Sequence, residues 1–243
     1  MVPAGNINRS ARLALVRWAA GMGAITAEAL AERDGGTVAS ARARLLAAER
    51  DELLSRRRPL ADQPSLYTVT RKGLRAAGVR GIEPAHVSAA GAAHAIACAS
   101  VAAALERCYP SHLVLGEREL RREERERGAA VASARLGPGV GAVALLHRPD
   151  LVLWPRGLAE QLPIAVEVEL TVKAPRRLLA ICRAWARCRC VEGVLYLAPP
   201  EVRRALERAI AQANAHQQVL VVPLDALPHS RAAANESTVA AGA

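Results

Sequence analysis

The sequence predicts a mixed α/β protein in two parts: a small helical unit that carries a β-hairpin, then a larger mixed sheet flanked by helices. Two observations predict it. The first 85 residues hold three helix-period stretches separated by glycines, followed by a proline-punctuated hairpin. From residue 164 to 224 the pattern alternates strand, helix, strand, helix, strand, which implies parallel strands. The hydrophobic fraction of 51% is ample for a core, but aromatics are 2% and Phe is absent, so aliphatic packing carries it.

In chain order, residues 11–22 show helical periodicity with Leu13, Val16, Trp18 and Met22 as apolar markers, broken at Gly23. Thr26 is placed to cap a short helix, AEALAERD, that ends at Gly35-Gly36. Thr37 caps a third, VASARARLLAAERDELL, with Val38, Ala41, Leu45 and Ala48 on one stripe and Arg42, Arg44 and Arg50 largely off it. SRRRPLADQPS and LYTVT then form a hairpin and RKGLRAAG a short helix. Three helices and a two-stranded wing are the order of a winged helix-turn-helix, expected over residues 1–85. That arrangement presents Arg42 and Arg44 on the recognition helix, Arg56, Arg57 and Arg58 on the wing, and Lys72 beside it, for duplex DNA.

Charge supports this division. Net charge is +10 and the pI about 10.4, with +6 in residues 1–87 and +4 in the other 156. Such an excess favours a polyanionic partner. Of 33 basic residues only Lys72 and Lys173 are lysines, so a lysine here stands out against a strong arginine habit.

Residues 86–228 form the second expected domain, with 229–243 as a disordered tail. Pro84–Leu105 holds no formal charge and is long enough for a bilayer, but it is mostly Ala, Ser, Gly and His. It reads as a buried helix and no membrane partner is expected. SHLVLGE follows as a strand, ERELRREERER as a solvated helix with i,i+4 pairs, and Gly137, Pro138, Gly139 and Gly141 as a turn. AVALLHRPDLVLW reads as a strand interrupted or bent around Pro149, and IAVEVELTVK as another. PRRLLAICRAWARC, with Pro175 in its first turn, and PEVRRALERAIAQANA are helices around the strand GVLYLA. QVLVVPL ends the sheet.

Five cysteines with no signal peptide ahead of them imply reduced thiols in a cytoplasmic protein. Cys182, Cys188 and Cys190 lack the spacing of a zinc site and read as ordinary buried thiols. No phosphate-cradling glycine loop and no His-hydrophobe-His motif occur, which disfavours an ATPase and a histidine-metal relaxase.

The chemistry concentrates in IAVEVELTVK. As a strand it puts Glu167, Glu169, Thr171 and Lys173 in one row, same-face neighbours about 7 Å apart. Two such carboxylates repel unless a cation lies between them. Asp150, on a strand that can pair beside this one, supplies a third acid. Such a set suits Mg²⁺ or Mn²⁺ and phosphodiester cleavage, with Lys173 offsetting oxyanion charge. The competing reading pairs these acids with Arg148, Arg176 or Arg177 as sheet scaffolding. His147 lines the cleft or serves structure.

RPD, then EVE, then K, behind a helix, resembles the PD-(D/E)xK nuclease superfamily. HRPDLVLW and AVEVELTVKAPRRL behind a winged helix, with GERELR ahead, resemble the replication-relaxation family of plasmid proteins, itself similar to nuclease-fold mobilisation relaxases. The resemblance implies a restriction-endonuclease-like mixed sheet flanked by helices. It also implies a metal-dependent nickase acting on double-stranded DNA in plasmid replication or mobilisation. Asp150 matches the PD aspartate and Glu167 the metal-binding acid. Glu169 stands where the superfamily usually has lysine, and Lys173 replaces that lysine or binds phosphate. Two registers stay open, Glu167 with Glu169 or Glu169 with Lys173. Glu117 is the candidate for an extra acid, and Arg176 and Arg177 for DNA contact. The alternative is a non-catalytic regulator whose nuclease-like domain serves homodimerisation or DNA docking.

Overall fold

The computed structural model describes residues 4–138, 144–157 and 161–227, with side chains described from residue 9 onward. The expected tail, 229–243, and the glycines Gly139 and Gly141 of the expected turn lie outside the described residues. The chain is mixed α/β and divides into two compact units, residues 1–108 and 109–227.

The first unit opens with α1 (Ala4–Met22), α2 (Ala27–Asp34) and α3 (Val38–Arg50). Thr26 Oγ1 accepts from Ala29 N at 3.0 Å and Gly35, at φ 65°, closes α2. Thr37 Oγ1 accepts from Ser40 N to start α3. α3 ends at Arg50, short of the expected DELL, because Glu52 takes φ 60° and the chain enters β1 (Leu54–Arg57). β1 pairs antiparallel with β2 (Leu66–Val69), and Ile25 joins through two backbone bonds to Tyr67. α4 (Arg71–Ala76) follows.

The core of this unit is aliphatic, as the composition requires. Leu15, Val16, Ile25, Leu30, Leu45 and Tyr67 are buried in it. α5 (Ala89–Cys108) belongs here too, whereas the sequence suggested that it opens the second domain after residue 85. Ala99 and Ala103, one turn apart and without side-chain bulk, join the first core. Arg33 and Arg107 then pair with Glu106 and Glu32 between α2 and α5, at 2.5 and 2.7 Å. α5 is long and apolar enough to cross a membrane by length and composition, but Ala92, Ala99 and residues 101–105 are buried within the protein.

The second unit comprises β3 (His112–Gly116), α6 (Glu117–Arg127), β4 (Ala134–Pro138), β5 (Ala144–His147), β6 (Leu151–Pro155), β7 (Ile164–Val168), α7 (Pro175–Ala186), β8 (Gly193–Ala198), α8 (Pro200–Ala213) and β9 (Val219–Pro223). Five strands form one sheet in the order β3-β6-β7-β8-β9. β3, β6 and β7 are antiparallel neighbours and β7, β8 and β9 are parallel, linked by α7 and α8. Leu178, Ile181 and Trp185 of α7 and Val202, Leu206 and Ile210 of α8 bury against Ala165, Val194 and Tyr196.

AVALLHRPDLVLW is interrupted at Arg148-Pro149-Asp150 into two strands in different sheets, since β5 pairs with β4 and only β6 enters the main sheet. Two expectations fail here for local reasons. The segment around Gly137 and Pro138 is not a turn but the end of β4, whose register shifts between Arg135 and Gly137. β7 stops at Val168, so Thr171 and Lys173 are not part of a strand row, and Val172 is exposed.

Candidate carboxylate site

Antiparallel pairing brings the acids together. Leu151 stands opposite Val166, so Asp150 reaches the end of β7 just where the strand finishes. Its Oδ2 accepts from Val168 N at 2.8 Å, between Glu167 and Glu169 in sequence. Its backbone oxygen accepts from Glu117 N at 3.0 Å, tying the start of α6 to the same corner.

Glu167 shares the face of Ala165 and is 4% exposed. Its Oε1 lies 2.6 Å from His147 Nε2 and accepts from Trp185 Nε1 at 3.2 Å. Three elements, β5, β7 and α7, therefore meet on one carboxylate oxygen. The His147 ring stands edge-on to Trp185, with centroids 5.7 Å apart. Tyr196 sits across the β7–β8 register from Glu167. Burial first, and then the charge of Glu167, hold its phenol well above the ordinary range; the same two causes push the Cys182 thiol up to about 11.

Glu169 lies one residue past β7, where its amide still donates to Leu197 O at 2.9 Å and continues the parallel ladder. It is 5% exposed, and Lys173 donates to its carboxylate from four residues on. The pairing that a strand row would have prevented is made by the turn. Burial lowers the Lys173 pKa from its ordinary value; Glu167 and Asp150 act in the opposite sense, and Arg177 adds to the lowering. Lys173 is thus within electrostatic reach of two of the three acids and in contact with the third.

The remaining candidates divide. Glu117 is half-exposed and its carboxylate accepts from Arg121 at 2.5 Å. Arg176 and Arg177 are exposed in the first turn of α7. Arg148 does not pair with the central acids: its Nε donates to Glu124 at 2.9 Å. Glu124 is itself 5% exposed and also takes the Val131 amide at 3.1 Å. The expected solvated helix α6 does carry its i,i+4 pairs, but Leu120 and Glu124, one turn apart, form a buried stripe. Carboxylate oxygens of Asp150, Glu167 and Glu169 do not form a group with every ligand atom within 4.8 Å of the others, among the described residues.

In the first unit the arginines proposed for DNA are exposed or half-exposed, and several have acidic partners. Arg42 lies 3.9 Å from Glu28, Arg44 2.5 Å from Asp34 and Arg56 3.5 Å from Glu49. Arg58 donates to Gln63 O within the wing, Arg57 is exposed beside it, and Lys72 pairs with Glu52 at 2.6 Å.

The sequence gives no signal for Trp185 as a partner of Glu167, nor for Glu124 as a buried acid beyond its spacing from Leu120. No family model, curated protein or solved structure matches the chain.

Proposed function

We propose that this chain is a DNA-binding protein that cuts a phosphodiester with the help of a divalent cation. In this reading it is a relaxase-like nickase of the replication-relaxation type, serving plasmid replication or mobilisation. The first unit is the winged helix-turn-helix. Support comes from the α1-α2-α3-β1-β2 order, the Ile25 bridge that adds a third strand segment to the hairpin, and the basic side chains on α3 and the wing. The second unit is the PD-(D/E)xK-like domain, supported by antiparallel strands running into a helix and a parallel strand.

The observation that carries the reading is the bond from Val168 N to the Asp150 carboxylate, which joins the RPD segment to EVE at one corner of the sheet. The three acids offer carboxylate oxygens, the donors that Mg²⁺ and Mn²⁺ take. Asp150, Glu167 and Glu169 are the residues that would hold it, with Glu117 beside them. A bound ion would activate water and offset charge on the phosphate. The protein's own contribution is orientation. Trp185 and His147 fix Glu167. The Val168 amide fixes Asp150. Lys173, paired with Glu169, would offset charge on the phosphate oxygens.

Supercoiled plasmid incubated with the protein and Mg²⁺ or Mn²⁺ tests this. Asp150→Asn keeps an acceptor for the Val168 amide and removes the charge. Metal-dependent conversion to open circles by the native protein, lost in Asp150→Asn, is expected. Salt-sensitive binding of duplex without cleavage under either metal overturns the nickase and leaves the second reading, a winged-helix regulator whose second unit serves dimerisation or docking. One observation favours that alternative: each central acid already has a donor within the protein, from His147, Trp185, Lys173 or the Val168 amide.

A further inference from the structure

The link between α7 and β8 carries a pair of thiols that the carboxylate site does not use. Cys188 Sγ and Cys190 Sγ lie 3.2 Å apart, and both point at one acceptor, the backbone oxygen of Ser133, at 3.9 and 3.7 Å. Ser133 is 2% exposed and its hydroxyl has no hydrogen-bond partner, so this corner is polar and unsaturated inside the fold. Cys188 is 8% exposed and Cys190 is half-buried, so Cys190 is the more exposed of the pair. Two residues of separation also fit a bridge. Consecutive Cα atoms are about 3.8 Å apart, so the two Cα atoms can lie no more than ~7 Å from each other, and a disulfide spans about 4.4–6.8 Å. The sulfurs need to close by only about 1 Å to bond.

We propose that Cys188 and Cys190 are an oxidation site, a dithiol that a hydroperoxide converts to a Cys188–Cys190 disulfide. One sulfur of the pair attacks the peroxide; an S–O bond forms, the O–O bond breaks, and the leaving oxygen takes a proton to become alcohol or water. That residue is then a sulfenic acid. The other sulfur attacks it; the S–S bond forms, the S–O bond breaks, and hydroxide leaves with the attacking thiol's proton as water. Two thiols lose two electrons and the hydroperoxide gains them.

Either sulfur can donate in the hydrogen bond between them, and that bond favours a thiolate on the one that accepts. Cys182, buried and pushed up to about 11, is a poor competitor.

The test is stoichiometric hydrogen peroxide on the reduced full chain, followed by alkylation and tryptic mapping without reductant. Trypsin cuts after Arg187 and Arg189, so the bridge would join the dipeptide 188–189 to the peptide beginning at Cys190. The expected result is that linked pair, an intact mass lower by about 2 Da, and two fewer alkylatable thiols, with Cys98, Cys108 and Cys182 still alkylated. A sulfenic acid should accumulate on the remaining cysteine in at least one of Cys188→Ser and Cys190→Ser and be trapped by dimedone. Recovery of both peptides fully alkylated, after peroxide has already oxidised Cys98 or Cys108, overturns the proposal. So does bridging of the native chain to any cysteine outside the pair.

Discussion

At the residue scale, the second unit is organised by buried ion pairs whose members cannot be removed singly at low cost. Glu169 is 5% exposed and its partner Lys173 is largely covered. Removing one partner leaves a charge in a site that disfavours it. Lys173→Met is therefore expected to cost about 3 kcal/mol at neutral pH, the low end of the range because the ammonium keeps some solvent. Adding Glu169→Gln should recover most of it, since two neutral side chains leave no orphaned charge. Urea denaturation of the four proteins measures the coupling, and additive losses would contradict it. Tyr196 gives a pH dependence. Its phenol is held well above the ordinary 10 by burial, so the folded state binds a proton that the unfolded state gives up. That stability is fully present below about pH 10 and is lost as pH rises beyond it. Tyr196→Phe should flatten the fall in unfolding free energy above pH 10.

At the element scale, tight seats set the geometry more than propensity does. A Cβ on Gly73 would lie 2.2 Å from Leu53 O and 3.1 Å from Val69 Cγ2. Leu53 O is also the acceptor for the Thr70 amide that starts α4. Gly73→Ala must therefore lift α4 off the base of the hairpin, against an alanine helix preference that would otherwise help. A net loss of about 1–3 kcal/mol in thermal denaturation is expected, and a gain would show that α4 moves freely. Elements of this kind explain what was legible. Thr26 and Thr37 followed by amphipathic runs marked α2 and α3, and Pro175 marked the start of α7, because caps and φ restrictions act within a few residues. The end of β7 at Val168 was not legible. IAVEVELTVK alternates through Lys173, and only the partner strands, β6 and β8, decide how far the ladder runs. Around HRPD the interruption at Pro149 was legible, and the change of sheet across it was not.

At the scale of the whole molecule, composition foretold an aliphatic core and a division into two units, and both are present. It misplaced the boundary because α5 is uncharged on nearly every side, so its partner is chosen by small-residue packing at Ala99 and Ala103 and by the Arg33 and Arg107 pairs. Of the candidate site, Asp150 bonds the Val168 amide between Glu167 and Glu169, and Lys173 reaches Glu169 through a turn, not through the strand row that their spacing suggested. The residues that hold them could not be read, since His147 and Trp185 come from elements whose approach is a tertiary matter. The central claim is that this corner takes a divalent ion, and it can be measured without DNA. Titration of the full chain with Mn²⁺, following the free ion by electron paramagnetic resonance, should show one site per chain in the native protein and none in Asp150→Asn or Glu167→Gln, each first shown to be folded by circular dichroism. An unchanged free-ion signal in the native protein, or equal uptake by all three, would contradict the account.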